Sequence, residues 1–115
     1  MALIDVAEME VGEPLPGWKG RFWRSESMSF AHYDIDSGSS IHEHHHPNEE
    51  VWTMIEGELE VTIDGVTHVA GPGSVAVVPA NAPHSVRALT GGRAIVANHP
   101  VRHDFVIHAR EPRRS

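Results

Sequence analysis

The sequence predicts an all-β protein folded as an antiparallel sandwich or barrel. Many short segments of strand-forming residues recur along the 115 residues, and glycine- and proline-rich turns separate them. The chain has neither helical periodicity of convincing length nor an internal repeat. A set of short antiparallel strands is the arrangement that this pattern favours.

The N-terminal part of the chain is predicted to contain two strands. Residues 3–11 alternate acidic and apolar side chains and are interpreted as a strand, whereas residues 12–20 are rich in proline and glycine and are interpreted as a loop. A second, long strand follows over residues 28–36. The small residues at 37–40 form a turn that leads into the next strand.

The middle of the chain begins with a histidine-rich strand at residues 42–46. Pro47 and Asn48 interrupt it as a turn, and residues 50–55 are a strand by composition. Apolar and polar side chains alternate over residues 58–63, which predicts a half-exposed strand.

A tight hairpin is predicted next, because Asp64-Gly65 is a type I′ turn sequence. Further turns rich in glycine and proline separate the last strands. These strands are predicted over residues 66–70, 74–78, 84–89 and 93–98.

Three histidines and one glutamate are spaced as metal ligands. Alternate side chains of an extended strand point the same way, so His42, His44 and His46 share a face. Across the following turn, Glu50 returns beside His44 and His46, and the distant His84 supplies a fourth donor. His44, His46, Glu50 and His84 together form a set able to hold one divalent metal.

Imidazole with one carboxylate suits iron, manganese, nickel, zinc or copper, whereas calcium and magnesium prefer a shell of oxygen ligands. The chain has no cysteine, which excludes disulfides and thiolate ligands. Two simpler interpretations stay open. The histidine-rich run could be a solvated, loosely metal-binding loop, or the metal could merely tighten the barrel.

Two blocks of the sequence carry these ligands together with turn residues. The first, residues 38–57, contains Gly38, His44, His46, Glu50 and Gly57. The second, residues 73–88, contains Gly73, Pro79, Asn81, His84 and Ala88.

These blocks resemble the paired signature of the cupin superfamily. Asn81 and Ala88 depart from the usual glycine and asparagine, and Asn81 can replace the glycine because asparagine tolerates a positive φ. The resemblance implies a jelly-roll barrel, the double-stranded β-helix, formed by residues 1–115 as a single metal-binding cupin domain.

Charge and composition narrow the classes of partner. The formal net charge is −7, which disfavours nucleic acid as a ligand because phosphates require a basic surface. The first 11 residues contain neither a basic segment nor a long apolar run, which argues against a secretory signal and a membrane span. A cytoplasmic protein with a small-molecule substrate is therefore expected.

Segments at residues 17–28 and 100–105 resemble the small single-domain cupins that linearise 4,5-unsaturated uronates. In those enzymes a metal binds the sugar's oxygens, an acidic side chain shuttles protons and an arginine pairs with the substrate carboxylate. Arg102 matches that arginine and is the candidate catalytic residue. The acidic position falls near Val96, and Glu50 stands where these enzymes can carry glutamine.

The sequence favours a metal-dependent enzyme acting as a Lewis acid on a small oxygenated or carboxylated molecule, such as a sugar acid. A dioxygenase that uses the same metal with O₂ is one alternative, and a non-catalytic ligand-binding or sensor cupin is another.

A homodimer is expected because one sheet of a small barrel exposes an edge and outward apolar residues such as Val51 and Ile55, which an N-terminal strand can help to cover. Large aromatic residues could close the barrel mouth or cover the partner: Trp18, Phe22 and Trp23.

Overall fold

The computed structural model describes residues 3–102. Two antiparallel sheets face each other across one hydrophobic core, which confirms the all-β jelly-roll prediction. The strands are β1 Gly12–Leu15, β2 Trp18–Arg24, β3 Ser29–Ile35, β4 Ser40–His44, β5 Glu49–Glu56, β6 Leu59–Ile63, β7 Val66–Ala70, β8 Val75–Val78, β9 His84–Ala88 and β10 Gly92–His99. Six strands form one sheet in the order β1-β2-β3-β10-β5-β8, and four form the other in the order β4-β9-β6-β7.

Alternation along the strands sets the core. In β3 every second residue is buried, and the same holds in β10 for Ala94, Val96 and Asn98. The opposing sheet contributes Leu59 and Val61 of β6 from its inner face. Each sheet thus turns one face inward and one outward, as an antiparallel sandwich requires.

The N-terminal segment corrects the sequence prediction in two places. Residues 3–11 do not form a strand but contain a short 3₁₀ helix, Val6–Glu8, whose N-cap Asp5 accepts a hydrogen bond from the Ala7 amide at 3.0 Å. Residues 12–20 are not a loop, because a tight turn pairs Leu15 with Trp18 and makes β1 and β2 adjacent strands. Proline fits β1 because this strand lies at the edge of its sheet.

Two predicted turn conformations are confirmed. Asp64 and Gly65 both have positive φ, at 49° and 79°, as a type I′ hairpin requires. Asn81 has a φ of 64° and so takes the left-handed conformation for which glycine is more usual.

The outer face of the six-stranded sheet carries an apolar row that crosses five strands. Strand register places its members side by side, from β8 at the edge to β2. They are Val77, Val51, Ala97, Phe30 and Trp23, and we call them the outer row. The rings of Phe30 and Trp23 are stacked with their centroids 5.6 Å apart. At the other end of the row, Val77 is 55% exposed.

Within residues 3–102, no helix is long and apolar enough to cross a bilayer.

Candidate metal centre

Three histidines converge between the two sheets. His44 ends β4 and His84 begins β9, and the two are direct partners in the strand register. Their ring centroids lie 4.2 Å apart, and the His46 ring lies 5.6 Å from His44 and 5.0 Å from His84. Each of the three offers a nitrogen atom within 4.8 Å of the others, which is a spacing that one metal ion can bridge.

His46 reaches this cluster from a loop. The predicted strand at 42–46 ends at His44, and beyond it the His46 carbonyl accepts a hydrogen bond of 2.8 Å from the Asn81 amide. This bond joins the two sequence blocks at the centre. His42, which was expected to share the face of His44 and His46, is exposed and lines the surrounding cavity.

Backbone carbonyls fix the orientation of two rings. Nδ1 of His44 lies 2.8 Å from the His42 carbonyl oxygen, and Nδ1 of His84 lies 2.9 Å from that of Ala82. A carbonyl can only accept, so each Nδ1 carries a proton, and Nε2 presents a lone pair whenever the ring is neutral. This is the usual outer support of a metal-ligating histidine.

Glu50 lies beside the histidines and is 1% exposed. Its Oε2 accepts a hydrogen bond from Trp52 Nε1 at 2.9 Å and lies 3.0 Å from Nε2 of His84. Its Oε1 lies 3.0 Å from Nη1 of Arg102 and 3.6 Å from Nε2 of His46. A buried carboxylate therefore faces two imidazoles and one guanidinium.

These contacts keep Glu50 ionised. Burial alone would raise the pKa of its carboxyl group, but the close polar contacts with His46, His84 and Trp52, together with the Arg102 charge, outweigh burial and hold the pKa well below its usual range. The opposite shift occurs at His84, where burial lowers the pKa but contact with Glu50 raises it above its ordinary value. The site thus favours positive charge beside Glu50.

The donor set fits a divalent transition metal. Nε2 of His46 and of His84 are buried and have no aligned hydrogen-bond partner among the described residues. Buried imidazole nitrogens without partners are costly unless a cation or another donor meets them. The structure thus brings the histidine triad and Glu50 together, and the ligand role of each remains a prediction.

Arg102 lies in the cavity and not on the outer surface. Its side chain is 13% exposed, and its backbone amide donates to Ser29 Oγ at 3.0 Å. The preceding Pro100 is held by Asn48, whose Nδ2 donates to the Pro100 carbonyl. These hydrogen bonds place Arg102 beside the beginning of β5, where its guanidinium contacts Glu50. Its catalytic role stays a prediction.

A cavity of about 470 Å³ leads to the histidines. Side chains of β1, β2, β3 and β5 line most of it, and many of these are aromatic. Trp18 and Phe22 line the cavity, whereas Trp23 points to the opposite face of β2 and joins the outer row. Val96, at the position matched to an acidic residue, is fully buried in the core.

One buried polar residue was not recognised in the sequence. Asn98 is fully buried, pairs in register with Glu50 on one side and Ser29 on the other, and has no hydrogen-bond partner for either amide atom among residues 3–102. A single asparagine ending an apolar strand was the signal that could have revealed it.

Known proteins confirm the assignment of the fold. The structure resembles an RmlC-like cupin from Shewanella frigidimarina NCIMB 400, with a TM-score of 0.84 and 27% identity over 90% of this chain and 94% of the other. KdgF from Halomonas sp. gives a TM-score of 0.84 at 20% identity, over 90% and 97%.

Sequence comparison gives the family. An uncharacterized protein of Streptomyces coelicolor is 31% identical over 64 residues, which span 56% of this chain and 61% of that relative. Residues 31–109 match the cupin domain, and they include both sequence blocks of the metal centre. The chain therefore belongs to the cupin family.

Proposed function

We propose that this chain is a metal-dependent cupin enzyme that acts on a small oxygenated, carboxylated molecule. The observation that carries the proposal is the triad of His44, His46 and His84, two of which line a cavity, with the buried Glu50 and with Arg102 beside it. A divalent metal bound there, iron, manganese, nickel, zinc or copper, supplies a Lewis acid for a substrate oxygen.

The chain's own residues would divide the remaining work. Glu50 offsets the positive charge of the centre, and Trp52 fixes one of its oxygens through the indole N–H. Arg102 approaches the other oxygen from the cavity side. A guanidinium carries five N–H donors in a fixed fork, so contact with Glu50 through Nη1 is compatible with pairing to a substrate carboxylate.

The first test is elemental analysis of protein purified without added metal, followed by turnover assays with small oxygenated acids. About one transition metal per chain, with turnover lost on chelation, would support the proposal. Protein that binds no transition metal tightly would overturn it.

Two other functions give different results in the same assays. Oxygen uptake that depends on substrate would identify a dioxygenase, and saturable binding without turnover would identify a sensor. The proton-shuttling carboxylate of the uronate-linearising cupins has no counterpart at position 96, because Val96 is a buried core residue there. That observation weighs against ring opening by the same groups.

Replacing Arg102 with lysine is expected to weaken binding of a small carboxylate by about 10- to 100-fold while leaving metal content unchanged. Lysine keeps the charge but lacks the planar fork. Titration calorimetry on the metal-loaded protein measures the loss, and Arg87→Lys is the matched control because Arg87 pairs with Glu60 on the protein surface. Equal affinities in the two variants would remove Arg102 from substrate binding.

We also propose that the outer row binds a second copy of this chain. An apolar stripe with charges of both signs beside it suits a two-fold contact, in which each patch meets itself. On the same face Arg21 lies two residues from Trp23 along β2, and Asp34, farther from the row, pairs with both Arg21 and Arg93 at 3.2 Å. The N-terminal strand that was expected to assist is not formed in residues 3–11, so the sheet face itself carries this proposal.

Light scattering at micromolar concentration tests the dimer. We expect the mass of two chains for the native protein and of one chain for Val77→Lys, because a charge at this end of the outer row would be buried by the partner. Val69→Lys is the matched control, since Val69 is similarly exposed, at 57%, but lies in the four-stranded sheet. A monomeric native protein would contradict the proposal.

A further inference from the structure

The cavity divides into two chemically different parts. Its polar lining includes His44 and His46 of the triad, Glu50 and Arg102, while His42 and His45 are exposed. Most of the remaining lining residues have apolar side chains and form a chamber whose walls are mainly carbon. We call this the aromatic chamber, and its walls are Leu15, Trp18, Phe22, Tyr33, Ile41 and Trp52.

The polar atoms of the chamber walls are already engaged. The indole N–H of Trp18 donates to the Ser40 carbonyl at 3.3 Å, and that of Trp52 donates to Glu50 at 2.9 Å. Tyr33 brings the one hydroxyl among the six wall residues. The side chains of the two tryptophans, the phenylalanine and the two aliphatic residues therefore have no unpaired polar atom to offer a ligand in the chamber.

Ring packing makes these walls rigid. Trp52 and Tyr33 lie nearly parallel, with centroids 6.2 Å apart, and Trp18 meets both edge-on at 5.8 and 5.6 Å. Phe22 meets Tyr33 edge-on at 5.8 Å. Gly20 permits this packing, because a Cβ there would lie 2.6 Å from the Phe22 ring. Flat walls held in this way fit a flat or compact apolar group.

A polyhydroxylated ligand would fit this chamber poorly. Each hydroxyl group that is removed from water must find a partner, and one left unpaired costs roughly tenfold or more in affinity. Several hydroxyls of a sugar acid would face ring carbons and aliphatic side chains. An apolar ring in the same place would instead gain from leaving water.

We propose, resting on the metal-dependent function above, that the ligand is an amphipathic small acid. Its oxygen-rich head, a carboxylate with a neighbouring hydroxyl or carbonyl, lies toward the histidine triad and Arg102. Its body is an apolar ring or a compact hydrocarbon that fills the aromatic chamber. Sugar acids, which the sequence resemblance suggested, are then poor ligands.

Three probes that share one head group test this inference. Mandelate, gluconate and lactate are all α-hydroxy acids, but they carry a phenyl ring, a polyhydroxylated chain and a methyl group. We expect zinc-loaded protein to bind mandelate at least about tenfold more tightly than either of the others, as measured by calorimetry. Gluconate binding as tightly as mandelate, or no binding of mandelate, would overturn the inference.

Two variants test whether the preference for mandelate over gluconate arises in the aromatic chamber. Ile41→Thr places a hydroxyl in the wall of the chamber and should reduce the ratio of mandelate to gluconate affinity by about fivefold or more. Val66→Thr makes the same kind of change at an exposed site of β7 and should leave the ratio unchanged. A ratio unaffected by Ile41→Thr would mean that the phenyl ring does not occupy this chamber.

Failure of the two proposals can be told apart. Zinc titration without any probe tests the metal centre alone, so a protein that does not bind zinc refutes the proposed function. The ranking of probes is also measured on metal-free protein by quenching of tryptophan fluorescence, because Trp18 and Trp52 line the chamber. A protein that binds zinc but prefers gluconate would keep the function and refute the amphipathic ligand.

Discussion

Replacing His46 with alanine is expected to lower the affinity for a divalent transition metal by about 100-fold or more, since even residues that only support a ligand change metal affinity by about 10- to 100-fold. His46 contributes a buried Nε2 to a triad whose nitrogens lie within 4.8 Å of one another. Alanine would remove one of the three imidazoles and so leave the metal with one protein donor fewer than in the native set. Competition with a chromophoric chelator measures the affinity.

His45→Ala is the matched control for this experiment. His45 is the next residue in the chain and lines the same cavity, but it is exposed and does not belong to the triad. Its loss should change metal affinity by less than about threefold, as expected for a residue outside the ligand shell. Equal losses from both variants would mean that the triad is not where the metal binds.

Local rules were sufficient to predict much of this centre from the sequence. The alternation of side chains in a strand and the turn at Pro47 and Asn48 are short-range features, and they placed Glu50 near His44 and His46. A positive φ could be predicted for Asn81 because asparagine is one of the few residues other than glycine that tolerate it. The Asp64-Gly65 hairpin followed in the same way.

Features that depend on distant parts of the chain could not be predicted in this way. The contact between Arg102 and Glu50 joins residues 52 positions apart, and it arises because β10 pairs with β5 and the chain then turns back over the site. Asn98 meets Glu50 through the same pairing. No spacing rule within a single segment contains this information.

The two wrong predictions at the N-terminus, a strand over residues 3–11 and a loop over residues 12–20, also arose because pairing with distant segments is not visible in a local pattern. Alternation of acidic and apolar side chains in residues 3–11 suggested a strand, but no residue of the 3₁₀ helix at Val6–Glu8 is buried. Conversely, proline in residues 12–20 suggested a loop, although an edge strand tolerates a residue without an N–H. The aromatic chamber could not be predicted while residues 12–20 were interpreted as a loop, because strands β1 and β2 supply three of its walls, Leu15, Trp18 and Phe22.

The second large effect concerns Gly57, which lies between β5 and β6 with a φ of 79°. A Cβ at this position would lie 2.3 Å from the Gly91 carbonyl oxygen and 2.9 Å from the Cα of Gly92. These are backbone atoms, so they cannot move aside as a flexible side chain could. Gly57→Ala therefore combines left-handed strain with a steric clash, and we expect it to lower the free energy of unfolding by about 2 to 5 kcal/mol.

Gly38→Ala separates the two contributions. Gly38 has nearly the same φ, 82°, but a Cβ there would meet no atom within 4 Å. Its substitution should therefore cost only the left-handed strain, about 1 to 2 kcal/mol, and the reduced freedom of the unfolded chain is common to both variants. Urea unfolding of the metal-free proteins gives both values. If Gly57→Ala costs no more than Gly38→Ala, then the turn relaxes around the added methyl group and the close approach of residues 57 and 91 is not a constraint on the fold.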